Sequence, residues 1–289
     1  MDEVNVCETE KGKIEYSLTG NGPVVLIVHG GHSSCRGYYQ QDRLIENNFS
    51  VLIPTRPGYK GTPIESGNTA ESTADLFAAL LKKLEIKKVF LIGNSAGGPV
   101  ALEFAKRYPD IVEKLILEAA VIKPWFHRFT VQYYGAKVIF NPNRQERFWQ
   151  KLRTKLAENE EKTLTDNLKL FTKLDPKSVL AKFTGNDLEL LKQQMITGND
   201  SGTGFVYDVE HRAKNIERIT CPTLIMNSKN DASVPFSHGE YAHKMIKNSL
   251  LFPVPTDSHF IYFGPGSDEV FAQRMRFITE RRGSRGMFM

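Results

Sequence analysis

Three residues in this sequence have the side chains needed for nucleophilic catalysis: Ser95, Asp231 and His259. A serine hydroxyl becomes a useful nucleophile only when a neighbouring base accepts its proton, and histidine is the usual base. A carboxylate that holds the histidine in the correct tautomer and stabilises its charged form completes the set. Such a set carries out acyl transfer. We therefore predict Ser95 as the nucleophile, His259 as the base and Asp231 as the acid.

The serine lies in the pattern Gly-x-Ser-x-Gly, which here reads Gly93-Asn94-Ser95-Ala96-Gly97. A serine in this pattern projects from a strained turn, and glycine on both sides removes Cβ atoms that would collide with neighbouring segments. The motif alone is weak, but an apolar strand-like run precedes it and a helical pattern follows it. The helix is predicted to start at the serine and to point free N–H groups at the site.

The base is predicted from its position relative to the strands. His259 follows the last predicted strand, in a loop at the carboxyl edge of the sheet, where it can meet Ser95. His238 and His243 fall on a predicted surface helix instead. A lone histidine more often has a surface or packing role, but its position after a strand favours His259 as the catalytic base.

The acid is predicted in the same way. Asp231 follows the apolar run TLIM through the loop NSKN, so it also lies at the end of a strand. The simpler explanation of such an aspartate is a turn or a helix cap. Asp257 competes for the role, but one residue separates it from His259, which makes a side-on approach to the ring awkward. Glu118, at the end of another predicted strand, is a more distant alternative.

The elements that position these residues alternate between short apolar runs and amphipathic stretches, a pattern typical of βα units around a largely parallel sheet. We predict an antiparallel starting pair at 4–7 and 14–18, followed by strands at 24–28, 51–54, 89–92, 112–117, 223–226 and 250–254. Helices are predicted at about 70–84, 95–107, 236–247 and 267–281. The run at 24–28 is apolar throughout, as expected of a strand buried on both faces.

Between residues 123 and 212 long, charged amphipathic stretches replace this alternation. We therefore predict a core domain of residues 1–122 and 213–289, and a helical cap of residues 123–212 inserted after the sixth strand. Aromatic residues of this insertion could line an apolar pocket, although a small core of its own is the commoner role of such residues. The candidate substrate contacts are His32, Trp125, Phe126, Phe129 and Tyr134.

Five segments of the chain carry a family resemblance: VHGGH, RPGYKGTP, GNSAGG, NDASVP and TDSHF. Together with the chain order serine, aspartate, histidine, they resemble the α/β-hydrolase superfamily, specifically its members with a helical lid. The resemblance implies an α/β-hydrolase fold with a mostly parallel central sheet flanked by helices. It departs from many relatives at the loop NSKN before Asp231, where they have a glycine.

The resemblance also implies roles for individual residues. The backbone N–H groups of Gly31 and Ala96 would form an oxyanion hole, whose donors each typically contribute about 3–4 kcal/mol to the transition state. His29 would have a structural hydrogen-bonding role. Members of the superfamily that form an alkyl-enzyme carry aspartate at the position of Ser95, so a serine here implies an acyl-enzyme. No metal or organic cofactor is needed for this chemistry.

Composition narrows the remaining classes of function. The formal net charge is +5 and the basic residues form no cluster, so a nucleic-acid partner is not expected. The three cysteines are widely spaced, which argues against a disulfide framework. The N-terminal residues contain no apolar signal segment, and no window approaches the roughly 20 apolar residues that span a bilayer. We expect a cytoplasmic protein, monomeric or homodimeric, that acts on a small acyl substrate.

The reaction most consistent with these residues is hydrolysis of a carboxylic ester with a small to medium apolar acyl group. Three alternatives remain open. A proline-iminopeptidase-like aminopeptidase would need an acidic residue facing the site, for which the insertion offers Glu146, Glu158 and Glu160. A carbon–carbon bond hydrolase would use the same triad with polar cap groups holding a carboxylate. A ligand-binding receptor with slow hydrolysis would be distinguished by its low turnover.

Overall fold

The computed structural model describes residues 3–125, 131–197 and 202–280. These residues form an eight-stranded sheet with the strand order β1-β2-β4-β3-β5-β6-β7-β8. The strands are β1 (Val4–Thr9), β2 (Gly12–Thr19), β3 (Val24–Val28), β4 (Ser50–Pro54), β5 (Val89–Asn94), β6 (Val112–Glu118), β7 (Thr223–Ser228) and β8 (Ser249–Val254). The β1–β2 and β2–β4 pairs are antiparallel and the others are parallel. The predicted antiparallel start and the mostly parallel sheet are confirmed.

The helices that flank the sheet are α1 (Gln41–Glu46), α2 (Ala70–Lys83), α3 (Gly98–Arg107), α10 (Ser237–Met245) and α11 (Ser267–Thr279). Helix α2 begins with a capping box, in which the side chains of Thr69 and Ser72 each accept a backbone N–H. The helix predicted to start at Ser95 differs from expectation. A 3-10 turn covers Ser95–Gly97, and α3 begins only at Gly98.

Both faces of the sheet are buried, and β3 shows how the sequence achieves this. Its side chains alternate between the two faces. Leu26 and Val28 belong to an apolar cluster with residues of α2 and α3. Val25 and Ile27 belong to a second cluster with residues of α1 and α11. Because helices cover both sides, the strand is apolar at every position, as a central parallel strand should be.

In the described part of the chain, six α-helices lie between β6 and β7, where the helical insertion is predicted. They are α4 (Val131–Ile139), α5 (Pro142–Glu158), α6 (Glu160–Leu168), α7 (Pro176–Leu180), α8 (Gly185–Thr197) and α9 (Gly204–Asp208). Apolar residues of these helices share one cluster with residues of the sheet: Leu164, Leu168, Val179, Leu191 and Met195. The division into a core and a cap domain stays a prediction. Among the described residues, no helix is both long and apolar enough to cross a bilayer.

Candidate active site

The turn between β5 and α3 carries Ser95 in a strained conformation. Its backbone φ is 44°, in the left-handed region that residues other than glycine adopt only at a cost in energy. The residue directly follows the buried strand β5 and precedes α3, so its side chain is placed at the carboxyl edge of the sheet. Its backbone carbonyl accepts the N–H of Val121, which ties the turn to the segment after β6. This is the geometry expected for the sharp strand-to-helix turn that presents a nucleophilic serine.

The two glycines of the motif are required by close approach of neighbouring atoms. A Cβ atom added at Gly97 would lie 2.5 Å from the backbone oxygens of both Val28 and His29. One added at Gly93 would lie 2.5 Å from the Cβ of Ala101. Both distances are far shorter than van der Waals contact, and backbone oxygens cannot be moved aside. Glycine at these positions therefore allows the turn to approach both the end of β3 and helix α3.

The structure brings Ser95, His259 and Asp231 into one hydrogen-bonded line. The distance from Ser95 Oγ to His259 Nε2 is 2.9 Å, and His259 Nδ1 lies 2.6 Å from Asp231 Oδ2. All three residues are buried, with the aspartate fully excluded from solvent. In the tautomer with a proton on Nδ1, the histidine donates to the carboxylate and offers the Nε2 lone pair to the serine hydroxyl. That arrangement can accept the serine proton.

The second carboxylate oxygen of Asp231 is held by the backbone. Its Oδ1 accepts the N–H groups of Ser233 at 2.7 Å and Val234 at 2.8 Å. These two bonds fix the plane of the carboxylate, so the other oxygen can face only the histidine. Asp231 thus combines the turn role expected of such an aspartate with the contact to His259.

The two competing acids are engaged elsewhere. The carboxylate of Asp257 binds the ammonium group of Lys182 at 2.7 Å near the surface. Glu118 accepts a hydrogen bond of 2.9 Å from Nε of Arg274, and both of these side chains are fully buried. Neither acid contacts His259, so Asp231 is the carboxylate that the fold pairs with the histidine.

Gly31 and Ala96 lie next to each other beside the serine. A Cβ atom added at Gly31 would lie 3.6 Å from the Cβ of Ala96, and one at Gly30 would lie 3.1 Å from the Cβ of Ser95. Ala96 is the second residue of the 3-10 turn, where a backbone N–H has no partner within the turn. Within the described part of the chain, the N–H of Gly31 donates to no protein acceptor. Two N–H groups are therefore available at the site.

A buried polar cluster supports the loop that carries Gly30 and Gly31. The guanidinium of Arg56 donates to the carbonyl of Gly30 at 2.9 Å and forms a two-pronged ion pair with Asp208 of α9. The hydroxyl of Tyr59 also donates to Asp208. His29 donates from Nδ1 to Gly30 O and accepts the N–H of Arg56 at Nε2. His29 therefore has structural hydrogen-bonding contacts, as its family resemblance implies.

The charges of this cluster follow from burial and pairing. Burial opposes the charged form of Asp208, but the neighbouring Arg56 outweighs it and holds the pKa of the carboxyl below its usual value. The same ion pair keeps the pKa of Arg56 above its usual value despite burial. Burial, with a contribution from Arg56, lowers the pKa of His29 to about 3. The imidazole is therefore neutral at physiological pH, as its hydrogen bonds require.

An aromatic layer covers the Gly31 side of the site. The ring of Phe205, from α9, lies within 3.0 Å of the place where a Cβ of Gly31 would be. It stacks on the ring of His32 at a centroid distance of 3.8 Å. Phe140 and Trp149 also contact His32, at centroid distances of 4.3 and 5.2 Å. Burial lowers the pKa of His32 to about 3, so this layer carries no charge at neutral pH.

The five predicted substrate-contact residues lie in different parts of the chain's structure or outside the described residues. His32 belongs to the aromatic layer, and Trp125 touches it through Phe205 at a centroid distance of 5.8 Å. Tyr134 lines a surface cavity of about 440 Å³ that none of the triad residues borders. Phe126 and Phe129 lie outside the described residues. The binding role of all five residues stays a prediction.

The three acidic residues named for the aminopeptidase alternative lie at the surface. Glu146 pairs with Arg153, and Glu160 pairs with Lys192. Glu158 is exposed at the end of α5. Each acid thus lies on the outer surface of the insertion.

His238 corrects one prediction. It lies on α10, as predicted, but it is buried rather than at the surface, and its Nδ1 accepts the N–H of Ile122 at 3.1 Å. Burial lowers the pKa of its ring to about 4. Its neighbour on the same helix, His243, is exposed as predicted. The helical periodicity of the sequence indicates that the two side chains point to different faces of α10. It does not indicate which of these faces packs against the sheet.

Sequence reasoning missed several residues around the site. Arg56 belongs to the segment RPGYKGTP, which the sequence marks only through the family resemblance, and the sequence singles out neither Asp208 nor Phe205. A charged residue that forms a buried pair has the same appearance in a sequence as one on the surface. The five-residue helix α9 is also too short to give a clear periodic pattern.

Comparisons with known proteins agree with this fold. A family model described as "alpha/beta hydrolase fold" matches residues 23–265. The uncharacterized hydrolase YcgS of Bacillus subtilis (strain 168) is 32% identical over 272 residues, which cover 92% of this chain and 95% of that protein. A solved alpha/beta hydrolase fold protein from Nakamurella multipartita superposes with a TM-score of 0.79 at 24% identity, covering 95% of this chain and 98% of the other.

A more distant relative has a named substrate. The 2-hydroxy-6-oxononadienedioate/2-hydroxy-6-oxononatrienedioate hydrolase of Escherichia coli (strain K12) is 25% identical over 256 residues. The match covers 82% of this chain and 81% of that protein.

Proposed function

The chain belongs to the alpha/beta hydrolase family, and from this premise we propose that it is a serine hydrolase that cleaves carboxylic esters. The observation that carries the proposal is the hydrogen-bonded line from Ser95 through His259 to Asp231. Its order and atoms match those needed for general-base activation of a serine. We also propose that residues 123–212 act as a cap that shapes the substrate pocket.

The proposed reaction has two steps. His259 Nε2 accepts the proton of Ser95 as its Oγ attacks the carbonyl carbon of the ester. The resulting oxyanion is stabilised by the N–H groups of Gly31 and Ala96. His259 then gives the proton to the departing alcohol, and the acyl group remains on the serine. Water repeats the sequence on the acyl-enzyme and releases the acid.

Asp231 supports both steps from behind the histidine. Its Oδ2 holds the proton at Nδ1 and stabilises the positive charge that forms on the ring. The backbone bonds to its Oδ1 keep the carboxylate from rotating. The positive charge therefore develops beside a fixed negative group in a buried site, where reorganisation costs little.

The uncharged aromatic layer favours an apolar acyl group. Phe205, His32, Phe140 and Trp149 are the side chains packed against the Gly31 loop, and none carries a charge at neutral pH. Arg56, whose guanidinium binds the carbonyl of Gly30 in this loop, is already paired with Asp208. An ester with a neutral hydrocarbon acyl group fits such surroundings better than a carboxylate does.

A carbon–carbon bond hydrolase is the second candidate, because the Escherichia coli relative is named for such substrates. Its named substrates are dicarboxylates, and their binding needs a cationic partner. The described residues of the aromatic layer offer none. The aminopeptidase alternative is weakened by the surface ion pairs of Glu146 and Glu160. A receptor with slow hydrolysis would keep the same geometry and differ only in turnover.

Initial rates on p-nitrophenyl esters from acetate to palmitate would test the proposal. We expect sustained turnover with an optimum at short to medium acyl chains, because the aromatic layer covers the Gly31 side of the site. A 2-hydroxy-6-oxodienoate assayed in parallel should be a poorer substrate, and proline p-nitroanilide should not react. Ser95→Ala is the matched control and should lose the activity. Equal rates of the two proteins on every ester would contradict the esterase proposal, and faster turnover of the dienoate would favour the second candidate.

A further inference from the structure

A short segment of the insertion crosses the loops that carry the acid and the base. This bridging segment, residues 171–173, lies between α6 and α7. Thr172 forms an antiparallel bridge with Asp231, and the N–H of Lys173 donates to the carbonyl of Asn230 at 2.8 Å. The carbonyl of Phe171 accepts the N–H of His259 at 2.8 Å. One segment therefore binds the backbone next to the acid and the backbone of the base.

The side chain of Thr172 adds a further link. Its hydroxyl donates to the carbonyl of Asp257 at 2.5 Å, and Asp257 is two residues before His259. The same oxygen accepts the N–H of Leu174 at 3.1 Å, which fixes its direction. Thr172 itself is 5% exposed. Loss of its hydroxyl would remove the side-chain link between the bridging segment and the loop that carries His259.

The ring of Phe171 extends the contact to the imidazole. It lies nearly parallel to the ring of His259, with centroids 5.9 Å apart and an angle of 27°. It also packs on Phe260 at 4.5 Å. The histidine is therefore restrained by its backbone N–H, by one face of its ring and by the hydrogen bonds of its two nitrogens.

These contacts matter because the acid and the base come from different strands. Asp231 follows β7 and His259 follows β8, and each lies in an irregular loop. Catalysis requires such groups to be held within about 0.5 Å of the productive geometry. Regular sheet hydrogen bonds end with the strands, and at that point the Ser228 hydroxyl donates to the carbonyl of Thr256 at 2.5 Å. Neither contact reaches Asp231 or His259, so a further element is needed to set the distance between the two loops at the triad.

We propose that the bridging segment is this element and that Thr172 is a positioning residue for the His259–Asp231 pair. The inference rests on the proposed function, because it concerns the triad of that reaction. It assigns to the insertion a second role besides covering the substrate, namely to position the acid and the base. The segment holds the acid and the base in register across the ends of β7 and β8.

The test compares Thr172→Val, which removes the hydroxyl at nearly constant shape, with Thr172→Ser, which keeps it. On the best p-nitrophenyl ester, we expect the valine variant to lose about 10- to 100-fold in kcat with KM unchanged, since small misplacements have effects of this size. The serine variant should stay within about threefold of the wild type. If the valine variant does not fold, Thr172→Ala removes the same hydroxyl.

Thr163→Val is the matched control for the insertion as a whole. Thr163 is a buried threonine of α6 whose hydroxyl bonds to the carbonyls of Lys155 and Asn159, away from both loops. The substitution removes the same group from the same insertion, and kcat should not change. An equal loss in the two valine variants would overturn the inference, because it would indicate general loosening of the insertion.

A second measurement does not depend on turnover. The proton shared by His259 and Asp231 should give a low-field signal in the proton NMR spectrum, which Asp231→Asn should abolish. We expect the signal in the wild type and in Thr172→Ser, and its broadening or loss in Thr172→Val. An unchanged signal in a folded Thr172→Val protein would overturn the positioning role. An inactive wild type with the expected NMR pattern would contradict the proposed function and leave the positioning role supported.

Discussion

Replacement of Asp231 by asparagine should lower kcat for ester hydrolysis by about 10⁴-fold. The N–H groups of Ser233 and Val234 require an acceptor at Oδ1, so the asparagine carbonyl must take that position. The amide nitrogen then faces Nδ1 of His259 and donates to it. The ring is left with its proton on Nε2, directed at Ser95, and can no longer accept the serine proton. Steady-state kinetics on the best p-nitrophenyl ester would measure this loss.

Asp257→Asn is the matched control for this prediction. It makes the same chemical change two residues from His259, at a carboxylate that binds Lys182 near the surface. Its kcat should stay within about threefold of the wild type, because exposed ion pairs contribute little. A loss of activity in Asp257→Asn with full activity in Asp231→Asn would assign the acid to the other residue.

The second large effect concerns stability. Asp208→Ala should lower the free energy of unfolding by about 3–5 kcal/mol, because it leaves the charge of Arg56 buried without a partner. Both side chains are at most 2% exposed. The substitution also removes the acceptor of the Tyr59 hydroxyl. Urea denaturation at neutral pH would measure the difference, and Arg56→Met combined with Asp208→Leu should lose less, because no charge is then left unpaired.

The pH dependence of this effect has a defined sign. The pKa of Asp208 is below its ordinary value of 3.8 in the folded protein. The ion pair therefore stabilises the fold above about pH 4, and this contribution is lost as the pH falls through the lower folded-state pKa. The difference in the free energy of unfolding between the wild type and Asp208→Ala should shrink in strong acid.

Asp166→Ala is the control for the loss of stability at neutral pH. It removes an exposed carboxylate paired with two lysines and should cause no measurable loss in the free energy of unfolding. Equal stability of Asp208→Ala and wild type at neutral pH would contradict the prediction.

The strands and the hydrogen-bonded line could be predicted from the sequence for one physical reason. Each of Ser95, Asp231 and His259 follows an apolar run of strand length after a short turn or loop. Parallel strands bring their carboxyl ends to one edge of a sheet, so residues far apart in the chain meet there. The glycines beside the serine could be predicted from the same turn, and the Cβ distances at Gly93 and Gly97 give the steric reason.

The supporting contacts could not be predicted, because they join distant parts of the chain without a periodic pattern. Arg56 and Asp208 are 152 residues apart, and neither sequence position indicates burial. The bridging segment acts partly through backbone bonds of Phe171 and Lys173, which any residue type can make. The hydroxyl bond of Thr172 to Asp257 depends on the path of the insertion, and helix periodicity does not report that path.

The aromatic layer beside Gly31 can be predicted from the sequence only in part. The sequence predicts that aromatic residues of the insertion line an apolar pocket, which stays a prediction, and Phe140 and Trp149 contact His32. The ring of Phe205 lies beside Gly31, and the ion pair between Asp208 and Arg56 anchors α9 to the core. Because Phe205 and Asp208 are three residues apart on α9, the ion pair also helps to hold the Phe205 ring in place.

Covalent labelling of the serine tests the central claim most directly. The protein would be treated with a fluorophosphonate, which forms a stable adduct with an activated serine, and then analysed by intact mass and peptide mapping. The proposal predicts one adduct per chain, located on Ser95, absent from Ser95→Ala and strongly slowed in His259→Ala. No adduct on the folded wild-type protein, or an adduct on another residue that persists in Ser95→Ala, would contradict the account.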